Sequence, residues 1–228
     1  MLVRERMTPN PLTVHPETSY DDALSLIREK KIRRLPVIDK QGHLVGIVVE
    51  KDLLFASPSP ATSLSVFEIH YLLAKLLVKE IMIKKVFAVD EECPLEEAAR
   101  IMVDHKIGSL PVLRGEQLVG IITETDIFGT LAEVLGGRTP GLRITVRVPN
   151  KKGMIASLTA EIARQGGNII SLATSWGGGQ MHEPEVTFKL QDVNRADVIP
   201  ALEKAGATIV DVREITTAYE PQIIGPQG

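Results

Sequence analysis

The chain has one cysteine in 228 residues, Cys93, and that scarcity removes a whole class of folds. No internal disulfide framework can form, and the composition fits a reducing compartment. Long apolar runs are missing too: Leu72–Val78 is interrupted by Lys75 and falls far short of a bilayer span. No basic-then-apolar leader opens the sequence, so a cytoplasmic protein with no membrane partner is expected. Charge of one sign is not in excess. The formal net charge is −3 and the pI near 6.0, which gives no global field for nucleic acid or an acidic membrane.

Catalytic patterns are absent as well. His15, His43, His70, His105 and His182 are scattered, with no partner at metal-ligand spacing. Asp104-His105 stands alone at a helix end, read as surface. Cys93 precedes Pro94 at a helix start, where a thiolate can be stabilised, but no neighbouring histidine suggests a nucleophile. Gly177-Gly178-Gly179 lacks the lysine and the strand-to-helix setting of a phosphate loop. It reads as a loop between strands, with Trp176 and Met181 placed to meet a partner surface. No enzyme and no metal site are expected.

What the chain does have is a repeat. Val3 to Met7, Ile32 to Val37, Leu44 to Val48 and Asp52 recur in order as Val78 to Met82, Ile107 to Val112, Leu118 to Ile122 and Asp126. Met7 and Met82, Ala23 and Ala98, and Pro36 and Pro111 stand 75 positions apart. Gly46 and Gly120 stand 74 apart, because Asp39–His43 is one residue longer than Arg114–Gln117. A repeat that changes length only at a turn is a repeat of a folded unit, and a ligand cleft between two packed copies is expected.

Each copy reads as strand, helix, strand, strand, helix. Thr18 and Asp21 resemble a capping box ahead of Ala23, Leu24 and Ile27 at helical spacing. In the second copy Pro94 suits a first helical turn, with Ala98, Ala99 and Met102 on the apolar face. Leu35–Ile38 with Leu44–Val49, around Gly42, reads as a hairpin, and Leu110–Leu113 with Leu118–Thr123 repeats it around Gly115. Between the copies, Ser57–Pro60 is a loop and a helix is expected from about Val66 to Leu77, with Phe67, Tyr71, Ala74 and Leu77 on one face.

Gly136–Gly141 is a breaker cluster and the expected domain boundary. Beyond it Leu142–Val148 alternates apolar and polar residues. Ile155, Leu158 and Ile162 make one helical face closed by Gly166-Gly167. Strands near Ile169–Thr174 and Val186–Leu190, a helix near Ala196–Ala205 and a strand near Thr208–Val212 complete βαββαβ, a split ferredoxin-like order. The expected organisation is therefore residues 1–57, a linker at 58–77, a second copy at 78–136, a C-terminal domain at 142–220 and a tail at 221–228, in an α/β (α+β) fold.

Met7-Thr8-Pro9, Arg33-Arg34-Leu35-Pro36-Val37 and Gly46…Asp52, echoed in the second copy, resemble a tandem pair of CBS domains (a Bateman module of two βαββα repeats). Val148–Met154 after the first strand and Gly167–Ile170 leading the second resemble an ACT domain, although Asn150 and Lys152 replace that family's usual acidic residue and proline. With the Phe67–Tyr71 helix between the copies, the whole is similar to the AcuB-type regulators of acetoin utilisation. The CBS resemblance implies binding of an adenine nucleotide, AMP, ADP or ATP, or of S-adenosylmethionine, with no catalytic cofactor.

Site residues follow from the same resemblance. Asp126 and Asp52 would take ribose hydroxyls, and Thr123 with its helix N-terminus would take phosphate. Thr123-x-x-Asp126 is equally a helix capping box, and Val49 stands where a first Thr would be. Arg33 and Arg34 would reach phosphates, while Gly108 and Ser109 at the matching positions leave room. Thr8, Leu12, Ile83 and Val86 would hold adenine, each alternatively ordinary core; Pro36, Ile107 and Pro111 complete the set. One complete site at Thr123/Asp126 and one weaker or empty site are expected.

The ACT resemblance implies a small-effector groove at Asn150, Gly153 and Met154, facing Asn168 and Ile169, and edge-to-edge dimerisation. Gly153 and Asn168 alternatively only close a tight turn. Ligand binding would change the angle between the CBS copies, and Gly136–Gly141 would pass that change on. The expected protein is a non-catalytic regulatory homodimer, paired through CBS and ACT surfaces. The second reading is a structural adaptor with degenerate sites that binds a client enzyme or transporter. Arg28, Lys30, Lys31, Arg33 and Arg34 could form a nucleic-acid patch, but no aromatics interleave with them, and that reading is the weakest.

Overall fold

The computed structural model describes residues 1–56, 68, 71, 73, 75–176 and 183–216. They form two compact units, Met1–Phe128 and Gly129–Gly228, in a mixed α+β fold.

In the first unit each copy builds a hairpin and two helices. The first copy contributes α1 (Tyr20–Lys30), β2 (Arg34–Ile38), β3 (Leu44–Val49) and α2 (Glu50–Ala56). The second contributes β4 (Val89–Asp90), α4 (Leu95–His105), β5 (Ser109–Arg114), β6 (Gln117–Thr123) and α5, which starts at Glu124 and runs to Val134 in the second unit. The hairpins match up to their turns. Both carry a bulge at the same place, between Val37 and Ile38 and between Val112 and Leu113. The two long helices end alike, on Lys31 and Lys106 in the left-handed region, with φ of 52° and 53°.

The N-terminal arms are exchanged between copies. The short strand β1 (Thr8–Pro9) pairs with Ile121 and Gly120 of the second copy's β6. Ile83, just past α3 (Val78–Ile81), pairs with Ile47 of the first copy's β3. The cores follow the arms. Val3, fully buried, packs with Val89, Ala98, Leu110 and Ile122, whereas Val78 packs with Tyr20, Ile27, Leu35 and Leu53. Burying one valine is worth about 1.5–3 kcal/mol, so each copy depends on an arm that precedes the other. Met7 lies over Gly120 and Met82 over Gly46, where a β-carbon would collide with the thioethers.

Three local expectations need correction. The cap of α1 is Ser19, not Thr18: its hydroxyl accepts from the Asp22 amide at 3.1 Å, and Thr18 instead accepts from the His15 amide. Two overlapping hydroxyl-x-x-Asp patterns compete there, and the structure uses the second. The inter-copy helix does not reach Leu77. Glu68, Tyr71 and Leu73 are helical, but Leu77 is extended, pairs with Ser19 and caps α3; Phe67, Ala74 and the loop at 57–60 lie outside the described residues. The Cys93 thiol is pushed up, not down, by burial first and then by Glu97, so no thiolate is favoured.

The second unit is βαββαβ: β7 (Gly141–Arg147), α6 (Met154–Arg164), β8 (Asn168–Ser175), β9 (Glu185–Gln191), α7 (Arg195–Lys204) and β10 (Thr208–Ile215). The sheet order is β10-β7-β9-β8, with β7–β9, β8–β9 and β7–β10 antiparallel. Leu142, Ile144, Val146, Phe188 and Leu190 face Leu158, Ile162, Val198 and Leu202 in one core. Ile155, expected on that helical face, is exposed at the first turn of α6. The unit begins at Gly129, upstream of the glycine cluster. Buried Lys189 donates to the Gly136 carbonyl and Ser171 to the Leu135 carbonyl, tying the end of α5 to this sheet. The Gly177–Gly179 loop, Met181, His182 and the tail at 221–228 lie outside the described residues.

Candidate functional site

The repeat folds into two cavities in the first unit, related position by position. The first, of 340 Å³, is lined at one end by the Thr8–Leu12 arm, at another by Lys31–Arg34 and Gly108, and at a third by Thr123–Thr125. The second, of 310 Å³, uses the matching arm Ile83–Phe87, then Lys106–Ser109 and Arg34, then Val49, Lys51 and Asp52. Both volumes lie at the lower end of the range for small-molecule sites.

Arg34 lines both cavities. It opens β2, and its side chain crosses to Gly108 of the second copy. A β-carbon at Gly108 would strike both the Arg34 guanidinium and the Glu124 carboxylate, so only glycine leaves that crossing open. Partial burial pulls the Arg34 pKa below the usual arginine value, Glu124 opposes the shift and Arg33 adds to it. The cation is thus half-desolvated and only partly balanced, which suits a charge-assisted bond to an incoming anion.

Thr123 and Asp126 close a reciprocal cap. The Thr123 amide donates to Asp126 Oδ2 at 2.8 Å, the Thr123 hydroxyl to the same oxygen at 2.7 Å, and the Asp126 amide approaches the Thr123 hydroxyl at 3.4 Å. The capping reading is therefore realised, and Thr123, rather than Asp126, lies on the cavity wall. In the first copy Val49 offers no hydroxyl, and Asp52 lines its cavity directly.

The cavities gather Thr8, Leu12, Arg33, Arg34, Gly108 and Thr123 on one side, and Asp52, Ile83, Val86, Ile107, Ser109 with Arg34 and Gly108 on the other. Pro36 and Pro111 line neither; both are buried mid-strand, where they hold the hairpins. Sequence reasoning missed Lys31, Asn10, Lys51, Lys85, Phe87 and Lys106 as cavity residues. Lys31 and Lys106 had a signal, each being the residue after a helix and before a strand in a matched pair.

Outside these cavities, the β7–α6 loop forms a groove with Asn150, Gly153, Met154, Thr174 and Trp176 on its walls. Asn168 and Ile169 are not there. The β7–α6–β8 crossover makes β7 and β8 parallel on either side of β9, so the start of β8 lies at the same end of the sheet as the start of β7 and the end of β8 at the loop's end; Asn168 pairs with Gln191 at the far end. Among the described residues, no group of three or more His, Cys, Asp or Glu could hold a metal, and no helix is long and apolar enough to cross a membrane.

A CBS domain matches at residues 3–59 and again at 78–133. A CBS domain-containing protein of Dictyostelium discoideum is 32% identical over 136 residues, 59% of this chain and 94% of that protein. The chain belongs to the CBS-domain family. Its first unit is a tandem CBS pair. Among solved structures, a protein assigned to acetoin utilization (AcuB) from Vibrio cholerae is 36% identical, with a TM-score of 0.49 over 58% of this chain and 90% of that one. CBSX2 of Arabidopsis thaliana, solved in complex with AMP, is 34% identical, with a TM-score of 0.49 over 58% and 97%.

Proposed function

We propose that this protein is a non-catalytic regulatory sensor whose CBS pair binds an adenine nucleotide or S-adenosylmethionine. One observation carries the reading: two cavities of matched construction, each with an apolar arm and basic side chains, meet at the half-buried cation Arg34. The apolar arms suit a base, Asp52 suits ribose hydroxyls and Asp126 would do so on releasing Thr123, and the cations with the first turn of α5 suit phosphate.

The C-terminal βαββαβ unit is read as an ACT domain that dimerises the chain and takes a small effector such as an amino acid in the groove beside Gly153. Support comes from its topology and from Asn150, Gly153 and Met154 standing together on that groove. A cytoplasmic homodimer acting in acetoin or related catabolism is the corresponding cellular role.

A structural adaptor is the second reading. It draws on the Thr123–Asp126 hydrogen bonds, which already engage the carboxylate that a ribose would need. Calorimetric titration of AMP, ADP, ATP and S-adenosylmethionine into nucleotide-free wild type and Asp126→Ala separates the two. Saturable binding that weakens about tenfold in the variant, some 1.4 kcal/mol, supports the sensor. No binding of any ligand to folded wild type leaves the adaptor, to be checked by pull-down of a client enzyme or transporter.

A further inference from the structure

The two cavities occupy equivalent positions in the repeat, so each difference between them isolates one change in chemistry. Where the first cavity has Asn10, the second has Lys85; where the first has Thr125, in the opening turn of α5, the second has Lys51, in the opening turn of α2. Lys31 and Lys106 match each other. The first cavity's own extra cation is Arg33, matched by Gly108 in the second, and each cavity has one carboxylate on its wall, Glu124 in the first and Asp52 in the second. Arg34 serves both.

The second cavity therefore gathers Lys51, Lys85, Lys106 and Arg34 around one space, and three of the four are lysines. A lysine ammonium is a mobile point charge that can follow a flexible chain of phosphates, whereas a guanidinium fork fits one phosphate face. Lys51 now rests over the Phe55 ring, 5.4 Å from its centre, a weak contact that a phosphate can replace. The arm differs as well: Leu12 of the first cavity is matched by Phe87, whose ring stacks on His105 at 4.0 Å and offers an aromatic face to the base, whatever the length of its phosphate chain.

We infer that the second cavity is the site for a nucleoside polyphosphate, and that the first takes a nucleotide of lower charge. This rests on the nucleotide-sensor reading above and divides the ligands between its two sites. Because Arg34 is common to both walls, a phosphate that engages it in one cavity removes it from the other. Binding at the two sites is then negatively coupled, reciprocally and through one side chain.

The test is calorimetric titration of AMP and of ATP, with divalent cations chelated, into wild type, Lys51→Ala/Lys85→Ala and Thr125→Lys, each confirmed folded by its thermal melt. Wild type is expected to bind ATP more tightly than AMP. The double lysine variant should lose about tenfold in ATP affinity while its AMP affinity changes little. Thr125→Lys, which puts an ammonium in the first cavity where Lys51 stands in the second, should gain affinity for ATP there. Unchanged ATP preference in the double variant overturns the assignment, as does AMP binding in wild type with no preference for ATP. Absence of binding by either nucleotide in folded wild type instead removes the sensor reading beneath it.

Discussion

The guanidinium of Arg34 and the carboxylate of Glu124 converge on the bare α-carbon of Gly108, each less than 3.0 Å from where a β-carbon would stand. One residue from each copy thus meets at a position that must stay empty. Gly108→Ala should leave the fold nearly intact, within about 0.5 kcal/mol, because the colliding atoms are the ends of flexible side chains. Nucleotide affinity should fall, since Arg34 is pushed from the crossing. A titration beside a urea melt reads both, and unchanged affinity would remove Arg34 from the site.

Val49 occupies the place that Thr123 has in the second copy, with Asp52 three residues on. Val49→Thr should recreate the missing cap of α2 and stabilise the chain by about 0.5–1 kcal/mol. The reverse change, Thr123→Val, removes the 2.7 Å hydroxyl bond to Asp126 and should cost about 1 kcal/mol. Urea denaturation of both variants measures the pair. A destabilising Val49→Thr would mean that Asp52 is not placed to answer a hydroxyl.

Gly46 and Gly120 are matched by the repeat but not in tolerance. A β-carbon at Gly46 would meet Met82 Sδ at 2.6 Å and the Ile83 carbonyl at 3.2 Å, whereas at Gly120 its three nearest neighbours would all belong to the Met7 side chain. Methionine yields; a backbone carbonyl paired to Ile47 does not. Gly46→Ala should cost about 1–3 kcal/mol and Gly120→Ala distinctly less. Equal losses in thermal unfolding would show that the arms are held equally stiffly.

Arg114 grips Glu91 with two hydrogen bonds, and the first effect on Glu91 is that this pairing holds its carboxyl below the usual range. A depressed folded pKa stabilises the fold above the unfolded carboxyl value and loses that contribution as pH falls through the folded one. The Tm gap between wild type and Glu91→Gln should be fully present at pH 7 and shrink as the pH falls below the usual carboxyl range. A gap independent of pH would assign the loss to packing instead.

The repeat was legible because its punctuation is chemical: Pro36 and Pro111, Gly46 and Gly120, and turns that differ by one residue. The βαββαβ order was legible too, since Leu142–Val148 alternates and Leu158 and Ile162 recur at helical spacing. Contacts without periodicity were not. Thr8-Pro9 is too short to announce a partner, so its pairing with the second copy had no signature. Ser19 and Thr18 offer the same capping chemistry one residue apart. Asn168 looked adjacent to the Asn150 loop only until the parallel crossover fixed the direction of β8. Lys51 and Lys85 were ordinary surface lysines in sequence, and only the folding of three segments around one space grouped them with Lys106.

The exchanged arms carry a consequence for what counts as one CBS copy. A single copy, cut at its sequence boundaries, would leave the Val3 socket open and its own leading strand without a sheet. Two identical copies could repair each other by trading arms, which is what the tandem chain does with itself. The smallest heritable piece that folds here is accordingly a couple, a fused reciprocal dimer, and excising residues 78–133 should yield a fragment that self-associates or fails to fold.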